Sequence, residues 1–264
     1  MIGRVLIVAG SDSGGGAGIQ ADIKTVTMLG GYAATAIAAL TVQNTRGVSA
    51  VHAVPPAFVQ AQMRAVLDDI GADAIKTGML GDAAMVAAVA DVIEVLAVPP
   101  PLVVDPVMVA KGGARLLDAD AIGAVKARLL PLAALVTPNT PELEALTGRV
   151  VTDEASGVEA GRALLAAGAR AVLVKGGHLE GGEVADWLLT ADDERRFASP
   201  RIRTRHTHGT GCTLASAIAC GLAKGNSLAS AVESARDYVQ SALRAAPGLG
   251  QGHGPLGHNF AVLG

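Results

Sequence analysis

The residues best equipped for chemistry are His208, Gly209, Thr210, Gly211, Cys212 and Thr213, a run that follows a β-rich segment and opens a small-residue helix. Gly-Thr-Gly permits a turn in which backbone N–H groups converge at a helix N-terminus, where the dipole favours anions. Gly209, Thr210, Gly211 and Cys212 in such a turn make an anion hole for a transferring phosphoryl group. Cys212 sits at the positive end, where a thiol pKa tends to fall. The hexapeptide also fits a plain tight turn with a buried cysteine, and spacing alone weighs the two readings evenly. Cys220 stands mid-helix among Ala, Ile and Leu and is expected to be a core residue.

Other candidates stand where apolar runs end. Asp105 closes LVVDPVM (102–108), and its carboxylate suits a hard cation such as Mg²⁺. Asn139 and Glu142, in TPNTPE, close the next run and begin a helix. Glu142 alone could simply favour a first helical turn; its pairing with Asp105 across adjacent strand ends raises a shared cation. Lys175 closes AVLVKGG and can reach a phosphate or be a surface lysine. Gln43 and Asn44 follow an apolar run, and a carboxamide offers both donor and acceptor to a heterocycle edge. On position alone they would be an ordinary loop start. Asp22, on the first helix, faces solvent or lies over the loop as partner to an amino group.

The loop Gly10–Gly18 (GSDSGGGAG) follows a strand and opens a helix. It is no Walker A loop, because no Gly-Lys-Ser/Thr follows. Its Gly16-x-Gly18-x-x-Ala21 matches a dinucleotide fingerprint, but the next strand ends in Leu40-Thr41-Val42-Gln43 without the ribose-binding acid. The glycines are better explained by close approach of backbone to a flat ligand. His206 and His208 have no third clustered ligand, so no zinc site is proposed.

The elements that must position these residues alternate. Strand-like runs at 4–10, 33–40, 74–79, 102–108, 134–139 and 171–177 are mainly apolar or β-rich. Helical patterns occupy 55–70, 82–97, 118–130 and 154–167, and a first helix places Ile19, Ile23 and Val26 on one face. This order predicts an α/β, three-layer fold with a mostly parallel sheet and helices on both faces. EVADWLLT (183–190) and RRFASPRIRT (195–204) alternate and are expected to be antiparallel edge strands, with Arg201, Arg203 and Arg205 on one face. Helices at 211–224 and 227–245 follow, then a loop-like Gly-rich tail. No linker or repeat interrupts residues 1–264, so one domain is expected. Ligands in such a sheet bind beyond the strands' carboxyl ends.

Composition removes other classes. The 264 residues are half hydrophobic, enough for one large core. With 21 Lys and Arg against 24 Asp and Glu, the net charge of −3 gives no footprint for nucleic acid. Six aromatic residues are too few for a base-stacking platform. No apolar run reaches membrane-span length, and the N-terminus has no signal-peptide pattern. Cys212 and Cys220 lie eight apart on one helix, about 12 Å by helix geometry, too far to bridge. Free thiols in a reducing cytoplasm are expected.

AGSDSGGGAGIQADIKT (9–25), TVQNTRGV (41–48), IKTGMLGD (75–82), VVDPVM (103–108), TPNTPE (137–142), VKGGH (174–178), DWLLT (186–190), THGTGCTLASAIA (207–219) and GHGPLGH (252–258) stand in one order from end to end. Together they closely resemble the hydroxymethylpyrimidine/phosphomethylpyrimidine kinases of thiamine biosynthesis, in the ribokinase-like superfamily. The resemblance implies ATP and Mg²⁺ as cofactors, a pyrimidine substrate and no membrane partner; a homodimer is expected. It implies that Gln43 hydrogen-bonds the pyrimidine, with Gly10, Asp22, Val42, Met79 and Val107 shaping the pocket. Asp105 and Glu142 would organise Mg²⁺, mostly through water. Lys175, Asn139 and Thr210 would hold the nucleotide, and Cys212 would stand where the wider superfamily usually has a catalytic Asp. Cysteine there is normal for the thiamine branch and for related pyridoxal kinases. Two departures are small: Gly14 stands where the family often has Ser, and Arg205-His206 precede Thr207 where Asn is common. Pyridoxal phosphorylation is the near alternative, and a silent heterocycle-binding module the distant one.

Overall fold

Strand β1 (Arg4–Ala9) is buried on both faces: Leu6 and Val8 face one helical layer, and Val5, Ile7 and Ala9 face the other. A central parallel strand requires this. The computed structural model describes residues 2–108 and 119–262. Along the chain follow α1 (Gly18–Met28), β2 (Tyr32–Ile37), β3 (Ala39–Asn44), β4 (Gly47–Ala53), α2 (Pro56–Asp69), β5 (Ala74–Thr77), α3 (Ala83–Glu94), β6 (Leu102–Val104) and α4 (Ala119–Ala124). Then come β7 (Ala133–Val136), α5 (Thr140–Thr147), α6 (Glu154–Ala166), β8 (Ala171–Val174), β9 (Glu183–Thr190), β10 (Glu194–Pro200), α7 (Thr210–Ala223) and α8 (Leu228–Arg244).

Eight strands form one sheet in the order β10-β9-β8-β7-β6-β5-β1-β2. All neighbours are parallel from β2 to β8, while β9 and β10 add antiparallel. Helices α1, α7 and α8 bury their apolar faces on one side, and α2 to α6 on the other. The chain leaves β1 toward β2 and later returns on the opposite side as β5. That reversal opens a crevice beyond the carboxyl end of β1, where the loop after Gly10 lies.

Several expectations needed correction. The run 33–40 is not one strand. Ala38 donates its N–H to the Ala9 carbonyl and accepts from Val54, so the chain turns out of the main sheet. β3 then pairs antiparallel with β4 in a separate two-stranded sheet. β4 left little sequence signal because it is exposed over most of its length. On α1, Asp22 takes the buried place expected of Ile23, which is 38% exposed; Ile19, Asp22 and Val26 share the inward face. β10 ends at Pro200, which lacks an N–H to continue a ladder. Arg201 instead donates to the carbonyls of Gly177 and Gly181, closing that loop. Arg195 pairs with Asp193, and Arg196 with Glu154 and Glu183. The helix expected at 118–130 starts at the edge of the described residues; it runs to Ala124, then widens to a π turn over Val125–Leu129.

Candidate active site

Helix α7 is N-capped by Gly209, whose φ of 84° lies in the left-handed region that favours glycine. A Cβ there would stand 1.8 Å from the carbonyl oxygen of Gly16. The two glycine loops therefore pack backbone to backbone, which no side chain at 209 would allow. The Thr210 hydroxyl donates to the Thr207 carbonyl, and Thr213 N–H makes the return bond to Gly209. Gly211 and Cys212, in the first turn, precede the helix's own carbonyl partners, so their N–H groups face out of its end. A Cβ on Gly211 would lie 3.4 Å from Lys175 Nζ and 3.7 Å from Asp105 Oδ2. The positive end of α7 thus meets the carboxyl ends of β6 and β8.

Lys175 Nζ donates to Asp105 Oδ1 at 3.1 Å and lies 3.8 Å from Glu142 Oε2. Thr137 also donates to Asp105 Oδ1. Asn139 and Glu142 form a reciprocal capping box at the start of α5. Glu142 therefore starts the helix, as one reading of it expected, and the same carboxylate lies beside the Lys175–Asp105 pair. Burial raises the Glu142 carboxyl to about 7, aided by Asp105 and opposed by Lys175. Burial alone would lower the Lys175 ammonium, but Asp105 and Glu142 hold it above its ordinary value. Two buried carboxylates share one ammonium, which leaves hard oxygen donors for a divalent cation. Among the described residues no three His, Cys, Asp or Glu side chains form a metal cage. Two carboxylates completed by phosphates and water are what Mg²⁺ commonly takes, so the residues fit that ion.

Gln43, at the outer end of β3, lies against the same turn. Its side-chain amide is 3.3 Å from His208 Nε2 and 3.2 Å from the Thr41 hydroxyl. Gly10 N–H donates to the Met79 carbonyl, which brings those two pocket candidates together. Val107 lines a small cavity beside Asp105 with Thr77, Gly78 and Leu80. Val42 is not brought to this group: the pleat turns it to the opposite face from Thr41, where it is 61% exposed. Asp22 is wholly buried; both its oxygens accept from Lys76, and Ser216 donates to Oδ1. Any part it takes in substrate binding acts through that pair.

Cys212 departs from expectation. Its thiol is pushed up to about 12, chiefly by burial; Lys76 works against this, while Asp22 and Asp105 add to it. Desolvation outweighs the helix end, so the thiol is protonated at neutral pH in the ligand-free site. Neither cysteine is in a disulfide.

Four positioning groups escaped the sequence reading. Asp12 accepts from the N–H groups of Gly14, Gly16 and Ala17 and from His208. Asp186 accepts from Gly176 N–H and pairs with buried Arg236, fixing the turn after Lys175. Lys76 had a visible signal, a charge inside the otherwise apolar AIKTGM. His258, in the tail, contacts the Thr213 hydroxyl at 2.9 Å. Burial, with Lys24 nearby, lowers its pKa to about 4. A depressed folded-state pKa gives stability that is present above about 6.5 and lost as pH falls toward 4. The shift corresponds to about 3 kcal/mol. Chemical denaturation from pH 7.5 to 4 is expected to show this loss, and His258→Gln to flatten it. Parallel curves for the two proteins would remove His258 from this role.

The fold and this constellation define a small-molecule phosphoryl-transfer class of α/β protein. Comparison with known proteins narrows it: the phosphomethylpyrimidine kinase family model matches residues 12–257, and the chain belongs to that family. A thiamine biosynthesis bifunctional protein of Geobacter sulfurreducens is 56% identical over 260 residues, covering 98% of this chain and 53% of that protein. The chain thus spans about half the length of that relative. The hydroxymethylpyrimidine/phosphomethylpyrimidine kinase of Streptomyces coelicolor is 50% identical, covering 98% of this chain and 95% of that protein. Among solved structures, an ADP complex of Bacillus subtilis pyridoxal kinase superposes with a TM-score of 0.91 at 33% identity, covering all of both chains. A Clostridium difficile phosphomethylpyrimidine kinase gives 0.80 at 37%, covering 91% of this chain and 98% of that one. The fold is ribokinase-like, as the resemblance implied.

Proposed function

We propose that this chain transfers the γ-phosphoryl group of ATP to the hydroxymethyl oxygen of 4-amino-5-hydroxymethyl-2-methylpyrimidine, and then phosphorylates the monophosphate to the diphosphate. The observation that carries this reading is the packing of the 208–213 turn, whose Gly211 lies beside Lys175 and Asp105 and whose His208 meets the Gln43 amide. Phosphoryl transfer asks mainly for positioning and charge stabilisation. The N–H groups of Gly211 and Cys212, with Gly209 and Thr210 shaping the turn, receive the transferring group. Lys175 and Asn139 orient the nucleotide. Asp105 and Glu142 would hold Mg²⁺, which when bound neutralises phosphate charge. Gln43 hydrogen-bonds the aminopyrimidine edge, with Gly10, Met79 and Val107 around the ring. Cys212 is the proposed base for the hydroxymethyl proton, a role implied by family resemblance.

The test is purified protein with Mg-ATP and a heterocycle panel, with products resolved by mass. Mono- and diphosphates of the pyrimidine are expected; no pyrimidine phosphate at all would overturn the reading. Asp105→Asn is expected to lower kcat and blunt the Mg²⁺ dependence, with pyrimidine affinity by calorimetry nearly unchanged. Collapse of that affinity with an intact Mg²⁺ titration would move Asp105 out of the metal site.

Pyridoxal kinase activity is the second reading, favoured by the 0.91 superposition on a pyridoxal kinase. Pyridoxal has no amidine-like edge for Gln43, and an unpaired buried group costs about 1–3 kcal/mol. The panel separates the two by kcat/KM. No helix of the described residues is long and apolar enough to cross a membrane; a cytoplasmic enzyme is proposed. A homodimer is proposed too, with Leu40, Val42, Val51 and Phe58 exposed on or beside the β3–β4 hairpin. Light scattering tests it, and a monomer at micromolar concentration would exclude it.

A further inference from the structure

Asp12 and His208 fix the chemistry of a third group. The Asp12 carboxylate is buried and accepts from Gly14, Gly16 and Ala17 N–H at 2.8, 3.0 and 2.8 Å. Burial would raise its pKa, but His208 and the Ala17 and Gly14 amides hold it below the ordinary carboxylate value. Asp12 is therefore ionised and accepts only. His208 Nε2 lies 2.8 Å from Asp12 Oδ2. An unprotonated nitrogen there would set lone pair against lone pair, so His208 Nε2 carries a proton and donates it to Asp12.

The Gln43 amide meets the same nitrogen. With its Nε2 3.3 Å from His208 Nε2 and its Oε1 3.2 Å from Thr41 Oγ1, two N–H groups would face each other. The Thr41 hydroxyl is already a donor to the Ser11 carbonyl at 2.9 Å. A half-turn of the amide exchanges oxygen and nitrogen and removes both conflicts. The oxygen then takes the longer branch of a three-centre bond from His208 Nε2–H, whose main acceptor is Asp12, and the NH₂ donates to Thr41 Oγ1, which still donates to Ser11. The Gln43 backbone is held as well, since Ser13 Oγ donates to its carbonyl and accepts from its N–H. Each amide atom keeps one position for a ligand: an acceptor on the His208 side and a donor on the Thr41 side.

We propose that His208 and Thr41 lock the Gln43 amide in this one orientation, so that the site distinguishes a 4-aminopyrimidine from its 4-oxo counterpart. The proposal rests on the reading of Gln43 as the pyrimidine-binding residue. A 4-aminopyrimidine edge presents a ring-nitrogen acceptor beside an amino donor. The 4-oxo compound presents the reverse, a ring N–H donor beside a carbonyl acceptor. A freely turning glutamine reads both edges by rotating; a locked one reads only the first. His208 is thus a positioning residue, acting on substrate through Gln43 from a chain distance of 165 residues.

The test compares kcat/KM for 4-amino-5-hydroxymethyl-2-methylpyrimidine and 5-hydroxymethyl-2-methylpyrimidin-4-one. Each reversed hydrogen bond is expected to cost a factor of about 10–100, so the unmodified protein should prefer the amino compound by about 10²–10⁴. Thr41→Val keeps the shape and removes the hydroxyl; His208→Leu removes the N–H. Each is expected to shrink the preference at least tenfold, whatever it does to the absolute rates. Nuclear Overhauser contacts from the Gln43 NH₂ protons in the unmodified protein should reach Thr41 and not the His208 ring. Comparable turnover of both pyrimidines by the unmodified protein would overturn the lock and leave the proposed function standing. A preference unchanged in both variants, or NH₂ contacts to His208, would overturn it as well. Turnover of neither compound would instead remove the proposed function on which the lock rests.

Discussion

Cys212→Ala is expected to lower kcat by about 10²–10⁴, the usual range for a general base, with ATP affinity largely kept. Cys212→Asp should retain more activity, because a carboxylate is ionised at neutral pH and aspartate serves here in the wider superfamily. The structure adds a pH signature. Burial holds the thiol near 12, so a thiolate-dependent rate rises with pH across 6 to 9 without reaching a plateau. That slope should vanish in the alanine variant. Iodoacetamide labelling of Cys212 should likewise be slow at pH 7, climb toward pH 10 and be blocked by substrate with ATP. An alanine variant with near-normal kcat would leave Cys212 as part of the turn. The loose transition state of phosphoryl transfer would then proceed with little early proton removal.

Lys76→Met is expected to lower the unfolding free energy by about 3–5 kcal/mol, because it strands the Asp22 carboxylate in the interior. Both side chains are fully buried, 2.9 Å apart, with Ser216 the other donor to Asp22. For a chain of this size the loss corresponds to roughly 10 °C in Tm. Lys76→Met combined with Asp22→Asn should recover most of it, since replacing a whole buried pair is often near neutral. The double variant also asks what Asp22 does for substrate. If Asp22 acts only through Lys76 and the fold, calorimetry on the refolded double variant should show pyrimidine binding. A single variant as stable as the parent would mean that Asp22 goes protonated at little cost.

The central strands were legible because burial on both faces leaves an unbroken apolar run, as in RVLIVA and AVLV. Strand ends were legible too, since Asp105, Asn139 and Lys175 each interrupt such a run. The β3–β4 hairpin was not, because it packs on no second layer, and a mostly exposed strand has no apolar period to show. Arg201 looked like one of a strand-face triplet, and only the loop it closes reveals its partners. Asp22 and Ile23 are neighbours in sequence, and a rotation of one residue about the helix axis decided which was buried.

The sequence by itself determined the kinds of element, their order and the residue types at the ends of the strands. Those depend on local periodicity and turn chemistry, which a linear chain carries in full. Tertiary structure decided which ends converge: Asp12 meets His208 across 196 residues, and Lys175 meets Asp105 across 70. It also decided charge states. Glu142 rises to about 7, His258 falls to about 4 and Cys212 rises to about 12. Each of these is set by lost water and by distant partners, and neither exists until the chain has closed around the site.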